Sequence, residues 1–340
     1  MVYLLISSRG EVVIKHLNQP FTYFQSKPFR AQFNFTVTSL SAFFQSSSCI
    51  MNEANPLYST SIFTCVVNAF SAYTAIMLNI LTIHAMRKTS SLPKPLKTLL
   101  LSLAISDLGV GLLAQPLYII KAVSPTCSAF LCTFHVRLIL AYVSFLTVVA
   151  ISVDRFLAIH LHLRYQELVT QKRIVALVIS IWTLSLLFPL LILYFNFKTP
   201  VFVVMGLIFG FSFIMSGIVY SRIYFTASHH ANQIQVLQIQ LAQNSQIESV
   251  ARKRKSAISM FYVYLVFLVC YLPQYCVRVA YLIQSPPSTA LRVTDLFSTT
   301  LVFLNSSLNP VIYGWKMRHI RHAMIGVLRN IFPRQNPANL

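Results

Sequence analysis

Asp154 and Arg155 stand side by side inside an aliphatic run, ILAYVSFLTVVAISVDRFLAIH, over residues 139–160. A charged pair in such surroundings is costly unless it lies at a membrane boundary and has work to do there. Asp107 is a second carboxylate in apolar sequence, in mid-span, where an uncompensated acid costs roughly 2.5–3.5 kcal/mol on insertion scales. Asn79, Ser144, Asn305, Ser306 and Asn309 are the polar side chains that could share its cavity. Oxygen ligands grouped about one carboxylate suit a small hard cation. A water-filled polar network around a protonated Asp107 is the alternative. Arg137 lies 18 residues before Arg155, which is five helical turns or about 27 Å, so both project from one face. Arg278 follows Pro273 by five residues. Two guanidinium groups converging in an apolar cup of Phe134, Leu138, Tyr275 and Phe303 would grip a carboxylate, phosphate or sulfate by paired hydrogen bonds. Otherwise Arg278 pairs with Asp295, or Arg137 snorkels to the surface.

Such residues need a scaffold that holds charges in apolar surroundings, and the composition supplies one. The 340 residues are 56% hydrophobic and 10% charged, with a mean hydropathy of +0.66. A soluble chain would be charged at about a quarter of its positions, so this is a polytopic membrane protein. The net charge of +20 lies in short clusters between apolar runs, not in one basic domain. It therefore reads as topology, with no nucleic-acid partner expected. Seven apolar runs follow residue 60: Ile62–Ala85, Leu96–Ile120, Thr133–His160, Ile174–Phe195, Val201–Phe225, Ala257–Ile283 and Thr294–Gly314. Each is near the ~20 residues that cross ~30 Å of hydrocarbon. The predicted fold is an all-α seven-helix bundle over residues 61–315, between an N-terminal tail (1–60) and a short C-terminal tail (316–340). Of the 23 Lys and Arg residues from position 61 onward, 18 sit in or beside the 1–2, 3–4 and 5–6 connections and the C-terminal tail. That bias places those segments in the cytoplasm and the N-terminus outside. Residues Trp315–Phe332 carry apolar positions at helical spacing with Arg318, Arg321, His322 and Arg329 elsewhere. This predicts an eighth, amphipathic helix on the anionic inner leaflet of the bilayer.

The tail is mixed in composition, and residues 1–50 are expected to be disordered or absent from the natural product. Asn34-Phe35-Thr36 is a glycosylation sequon if the tail is outside. Cys65, Cys270 and Cys276 fall within spans and act as small apolar residues. Cys49, Cys127 and Cys132 fall on the predicted outside, where a disulfide is chemically allowed.

In order along the spans stand Asn79; Leu103 and Asp107; Asp154-Arg155-Phe156; Trp182; Tyr220; Phe267 and Pro273; and Asn309-Pro310-Val311-Ile312-Tyr313. This series resembles the rhodopsin-like (class A) G-protein-coupled receptors over about residues 60–332. The segment after Asp154-Arg155 is loosely similar to adenosine and melanocortin receptors. The resemblance implies a plasma-membrane receptor, not an enzyme. It would bind an extracellular ligand in the outer half of the bundle and open its cytoplasmic face to a heterotrimeric G protein. It implies that Arg155 pairs with Asp154 at rest and turns toward Tyr220 and the G protein on activation. Phe267, Tyr271 and Pro273 would then form the hinge region of the sixth helix, Pro310 would hinge the seventh, and Tyr313 would meet water near Tyr220. It further implies a sodium ion, held by Asp107, Ser144, Asn305 and Asn309, that favours the inactive state; no other cofactor is expected.

Several positions depart from the family's pattern. Lys253 stands where many relatives place a carboxylate that restrains the Arg, so raised basal activity is expected. Tyr271 stands where Trp is usual. The short loop Asn196–Pro200 has no cysteine, so the usual disulfide from the third helix cannot form. Cys127 and Cys132 are left to pair with each other or with Cys49. Adenosine receptors have Asn and His where this chain has Arg278 and Phe303. Melanocortin receptors need an acidic cluster where it has Leu117, Phe130 and Phe134. Amine receptors have Asp in the place of Arg137. None of those ligands transfers, and an acidic small molecule or lipid is the expected class.

Other functions fit less well. A retinal pigment would need a lysine where Phe303 stands. A transporter or channel would want paired broken helices or rings of charge. A ligandless receptor-like protein, constitutively active or silent, is the competing expectation.

Overall fold

A computed structural model describes residues 3–6, 12–15, 56–89, 92–123, 127–160, 164–195, 210–211, 214–215, 217–218, 221–222, 245–284 and 286–331. The first 52 residues form one unit and the remainder another. In the first, strands β1 (Tyr3–Ile6) and β2 (Val12–Lys15) pair antiparallel, with Tyr3 opposite Lys15 and Ile6 opposite Val12. Their Val, Ile, Leu and Tyr content suits a strand pair. Most of the tail expected to be disordered, Asn34 and Cys49 included, lies outside the described residues.

The second unit is helical. We label its helices α1 (Pro56–Lys88), α2 (Lys94–Val123), α3 (Cys127–His160), α4 (Gln171–Phe195), α5 (the helical residues described between 210 and 222), α6 (Ser245–Ile283), α7 (Thr289–Lys316) and α8 (Arg318–Ile331). A single helical turn, Tyr165–Leu168, joins α3 to α4. Among the described residues, α1, α2, α3, α4 and α6 are long and apolar enough to span a bilayer. The seventh run does form a 28-residue helix. It is less apolar than the others because its inward face is polar: Ser298, Thr299, Thr300, Asn305, Ser306, Ser307 and Asn309 are all buried. α3 packs on α2, α4 and α6, and α7 packs on α1 and α6.

The packing is that of a bundle in lipid. Ile62, Phe63, Val66 and Phe70 on α1 and Ile179, Leu184, Leu187 and Leu190 on α4 face outward. The polar side chains Asn68, Asn79, Ser106, Asp107 and Asn305 are fully buried. Leu96, Leu99, Leu100 and Leu103 of α2 pack with Phe145, Val148 and Ile151 of α3, Phe267 of α6, and Tyr313 of α7. A smaller cluster of Val110, Ala114, Tyr118, Leu140 and Phe303 fills the opposite half.

α2 is irregular where it leaves the Asp107 level. A π turn spans Val110–Ala114, closed by the Gln115 N–H on the Val110 carbonyl. Pro116 comes next; it has no N–H to give and its ring crowds the preceding turn. The wider turn absorbs that crowding and re-aims the last part of the helix, so Gln115 and Tyr118 are both buried. Gly111 sits inside the turn, where a Cβ would come within 3.1 Å of the Ala72 carbonyl oxygen. The close approach of α1 to α2 therefore requires glycine there.

α7 ends at Met317, whose extended backbone (φ −111°, ψ 93°) turns the chain into α8. α8 begins at Arg318, three residues later than expected, with Ile320, Met324 and Val327 buried.

Candidate functional site

The polar groups of the bundle fall at three levels along α3. At the first, Asp154 and Arg155 are buried, at 3% and 4% exposure. Arg155 Nε donates to Asp154 Oδ2 at 2.9 Å, and Arg155 Nη2 donates to the same oxygen. The other oxygen is also occupied: the Tyr165 hydroxyl donates to Asp154 Oδ1 at 2.7 Å. Burial, and then the Asp154 charge, push the Tyr165 phenol well above its ordinary pKa, so its proton stays in place at physiological pH. Tyr165 did not figure among the expected site residues. A buried carboxylate with one adjacent cation still has unfilled lone pairs, and that was the available signal. Tyr220 and the Lys253 side chain lie outside the described residues.

On α6, Phe267 and Tyr271 are one turn apart and stack, with ring centroids at 4.0 Å and planes 15° apart. Phe267 also meets Phe145 of α3 at 5.8 Å. Pro273 lies two residues beyond this stack, inside the helix, where it removes a ladder hydrogen bond. The tips of two α6 tyrosines reach glycines of α5. A Cβ at Gly210 would stand 3.0 Å from the Tyr275 hydroxyl, and one at Gly217 would stand 3.2 Å from that of Tyr264.

The middle level is Asp107. Its Oδ2 accepts from Asn309 Nδ2 at 2.8 Å. Among the described residues, Asp107 Oδ1, Asn309 Oδ1 and both side-chain polar atoms of Asn305 are buried without a hydrogen-bond partner. Ser144 Oγ lies 3.1 Å from Ser106 Oγ, one residue from Asp107. Asn79 does not serve Asp107 as expected. Pro310 has no N–H, so the Ser306 carbonyl loses its usual helical partner; Asn79 Nδ2 supplies the missing bond at 2.9 Å. The free oxygen of the acid and the two orphaned amide oxygens of Asn305 and Asn309 are the kind of donor a hard monovalent cation takes, so the residues fit sodium. They fit no histidine- or thiolate-bound metal: no cluster of His, Cys, Asp and Glu that could hold one occurs among the described residues.

The third level lies around Arg137. Arg137 Nη1 donates to Thr299 Oγ1 at 3.3 Å. Thr299 donates to Gln274 Oε1 at 3.2 Å, and Ser298 donates to the same oxygen at 2.6 Å. Gln274 Nε2 then donates to Asp295 Oδ1 at 3.1 Å. Arg278 does not converge with Arg137. Its side chain is 47% exposed and pairs with Asp295 at 3.0 Å. The rim carboxylate is a better partner than a cavity without one. The two arginines are joined through Thr299, Gln274 and Asp295, of which only Asp295 was considered from sequence. Lys121, also unforeseen, lies within electrostatic reach of Arg137, Arg278 and Asp295. Tyr118 meets buried Phe303 edge-on at 5.5 Å, while Phe134, Leu138 and Tyr275 are half-buried. Cys132 carries a free, exposed thiol, so it joins no disulfide; the Cys127 side chain and Cys49 lie outside the described residues.

The sequence has counterparts among known proteins. The family model described as "7 transmembrane receptor (rhodopsin family)" matches residues 78–313. Adenosine receptor A3 of Ovis aries is 27% identical over 297 residues, covering 79% of this chain and 90% of the relative. Adenosine receptor A2b of Gallus gallus is 27% identical over 310 residues, covering 78% and 88%. Adenosine receptor A2a of Homo sapiens is 26% identical over 321 residues, covering 82% and 75%. With the family model spanning most of the chain, this multi-pass membrane protein belongs to the rhodopsin family of seven-transmembrane, G-protein-coupled receptors.

Proposed function

We propose that the receptor takes an acidic ligand in the cup around Arg137, with its N-terminus outside the plasma membrane, and couples through the Arg155 end to a heterotrimeric G protein. The observation that carries the ligand class is charge. Arg137 and Arg278 are joined through Thr299, Gln274 and Asp295, so two guanidinium groups share one carboxylate. A carboxylate, sulfate or phosphate entering the cup would meet Arg137, whose bond to the neutral Thr299 hydroxyl is long, and would offset the excess charge by a stronger pairing of opposite charges. Phe134, Leu138, Tyr275 and Phe303 supply the apolar wall.

Ligand entry would act through α6 and α7. Thr299 and Gln274 tie Arg137 to both helices, and each of those helices carries a proline nearer the Asp107 level or beyond it. Drawing Gln274 toward α3 would bend α6 at Pro273 and disturb the Phe267–Tyr271 stack. Arg155 would then leave Asp154 for the G protein, with Tyr220, Tyr313 and Lys253 around the opening. A sodium ion held by Asp107, Asn305 and Asn309, with Ser144 nearby, would neutralise the acid and hold α2 and α7 in their resting relation. With Lys253 in place of an acid at the start of α6, the closed state would rest on Asp154 and Tyr165, and basal activity would be raised.

A second reading is adenosine, the ligand in the names of the relatives. The positive cup and the replacement of Asn and His by Arg278 and Phe303 weigh against a neutral nucleoside. The experiment is a concentration–response screen of acidic compounds and adenosine in cells expressing the chain with a panel of chimeric G proteins. A response to carboxylates, sulfates or phosphates that Arg137→Ala abolishes supports the proposal. A response to adenosine that Arg137→Ala leaves intact overturns it. Sodium is tested in the same membranes: replacing it with N-methylglucamine should raise agonist affinity about 5- to 10-fold in the wild type and not at all in Asn305→Ala.

A further inference from the structure

The end of α1 and one flank of α8 enclose a cleft of about 490 Å³, lined by Lys88, Thr89, His319, His322, Ala323 and Gly326. That volume lies within the ~300–1,000 Å³ range of small-ligand sites. Its polar lining is made of donors: an ammonium, a hydroxyl, and two imidazoles, each with at least one N–H. Neither wall can supply an acid, since the sequence has no Asp or Glu between residues 54 and 106 or between 296 and 340. Two carbonyls at the end of α1, where the helix dipole would repel an anion, are occupied. Lys97 Nζ donates to the carbonyl oxygens of Arg87 at 3.3 Å and Thr89 at 2.9 Å, so Lys97, not Lys88, caps that helix. The far wall is open because it is glycine: a Cβ at Gly326 would meet nothing within 4 Å.

The setting selects the ligand. α8 turns Ile320, Met324 and Val327 inward while Ile325 and Leu328 stay exposed beside Arg321 and Arg329. A helix so divided lies in the headgroup layer with its apolar residues in the acyl boundary. We propose that the α1–α8 cleft is a binding site for the phosphomonoester headgroup of an inner-leaflet lipid. A phosphomonoester carries a charge of about −1.5 to −2 and three acceptor oxygens. It can engage Lys88, His319 and His322 together; a phosphodiester carries one charge and is matched less well. The site rests on the cytoplasmic placement of α8 that the proposed function requires.

The full-length receptor in detergent micelles is titrated with a short-chain fluorescent phosphatidylinositol bisphosphate, with phosphatidylinositol and free inositol trisphosphate as separate arms. The bisphosphate lipid should bind at least about 10-fold more tightly than phosphatidylinositol, and Lys88→Gln should weaken it about fivefold. The double change His319→Ala, His322→Ala should weaken it by about 10-fold. Gly326→Leu, whose Cβ meets nothing within 4 Å, should fill the cleft and abolish the preference while leaving the thermal midpoint unchanged. Arg321→Ala, on the opposite flank, should alter binding by less than about threefold. Binding that survives Gly326→Leu, or that Arg321→Ala weakens as much as the histidine pair, would show nonspecific charge attraction and overturn the site. Free inositol trisphosphate binding as tightly as the lipid would overturn the lipid as its occupant. Topology is read separately, by an epitope after Leu340 that antibody reaches only in permeabilised cells. If that epitope is reached without permeabilisation, the orientation fails whatever the titration shows.

Discussion

Arg137 and Arg155 project from the same helix, and the protein treats them in opposite ways. Arg155 is 4% exposed and donates at least twice to the carboxylate of its own neighbour, whose second oxygen is taken by Tyr165. Arg137 donates to one neutral hydroxyl at 3.3 Å, and other cations lie nearby. One arginine is held by an acid inside the protein; the other is left with more charge than its surroundings offset. A buried cation with a carboxylate partner defines a resting state, whereas one bonded to a hydroxyl is set to gain from an incoming anion.

The comparison is broken most severely at the closed end. Arg155→Ala removes the cation that leaves Asp154 in the mechanism we propose, and agonist-stimulated signalling should fall to the level of mock-transfected cells. Surface staining should stay within about twofold of wild type, because Tyr165 still holds the carboxylate. A variant that signals with wild-type amplitude would mean that the pair only anchors the helix. Arg137→Ala comes next. Removing one side of a buried charge-assisted contact costs about 2–5 kcal/mol, so the half-maximal concentration of an acidic agonist should rise roughly 30- to 5,000-fold. Arg137→Lys should fall between, because a point charge cannot reproduce the paired donors of a guanidinium. An unchanged response would place the anion site elsewhere.

The closed end was more legible in the sequence than the open end, for a physical reason. Asp154–Arg155 and Asp107 are charges in aliphatic runs, and their cost makes them conspicuous. The seven spans were legible because crossing a bilayer fixes length and hydropathy, although α7 was harder, since its buried face is polar. Partners across helices were not legible. Nothing in the spacing of Asn79 and Pro310 says that one amide replaces the N–H the proline lacks. Nothing in the sequence says that Gln274 bridges Thr299 and Asp295, or that the π turn before Pro116 turns Gln115 and Tyr118 inward. Arg278 could be read either toward the cup or toward Asp295, and the structure chose Asp295. Periodicity reports the face of a helix; it does not report which neighbour that face meets.

Tyr165 sharpens the comparison at the closed end. Tyr165→Phe keeps the ring and deletes the one bond to Asp154 Oδ1. A hydrogen bond to a charged group is worth about 1.5–3 kcal/mol, and part of that holds the resting state. Basal signalling should rise about 3- to 10-fold with maximal response preserved. Because the phenol's pKa is raised, the wild-type bond should persist through alkaline assay buffers. Wild-type basal signalling that climbs to the Tyr165→Phe level between pH 7 and pH 9 would contradict that.

The smallest effect is expected from the second rim arginine, and it decides how far the open end extends. Arg278 is 47% exposed and already paired with Asp295. Exposed pairs contribute about 0.2–1 kcal/mol, so Arg278→Ala should shift the half-maximal concentration of an acidic agonist by less than about threefold to sixfold. Combining it with Arg137→Ala gives a double-mutant cycle. If Arg278 stays with Asp295 when ligand binds, the two changes should add within ~0.5 kcal/mol. A single-mutant loss above about 30-fold, or strong coupling between the two, would mean that Arg278 leaves Asp295 to join Arg137 on the anion. Asp295→Asn would then raise affinity by freeing that guanidinium, where an idle rim pair would leave affinity unchanged.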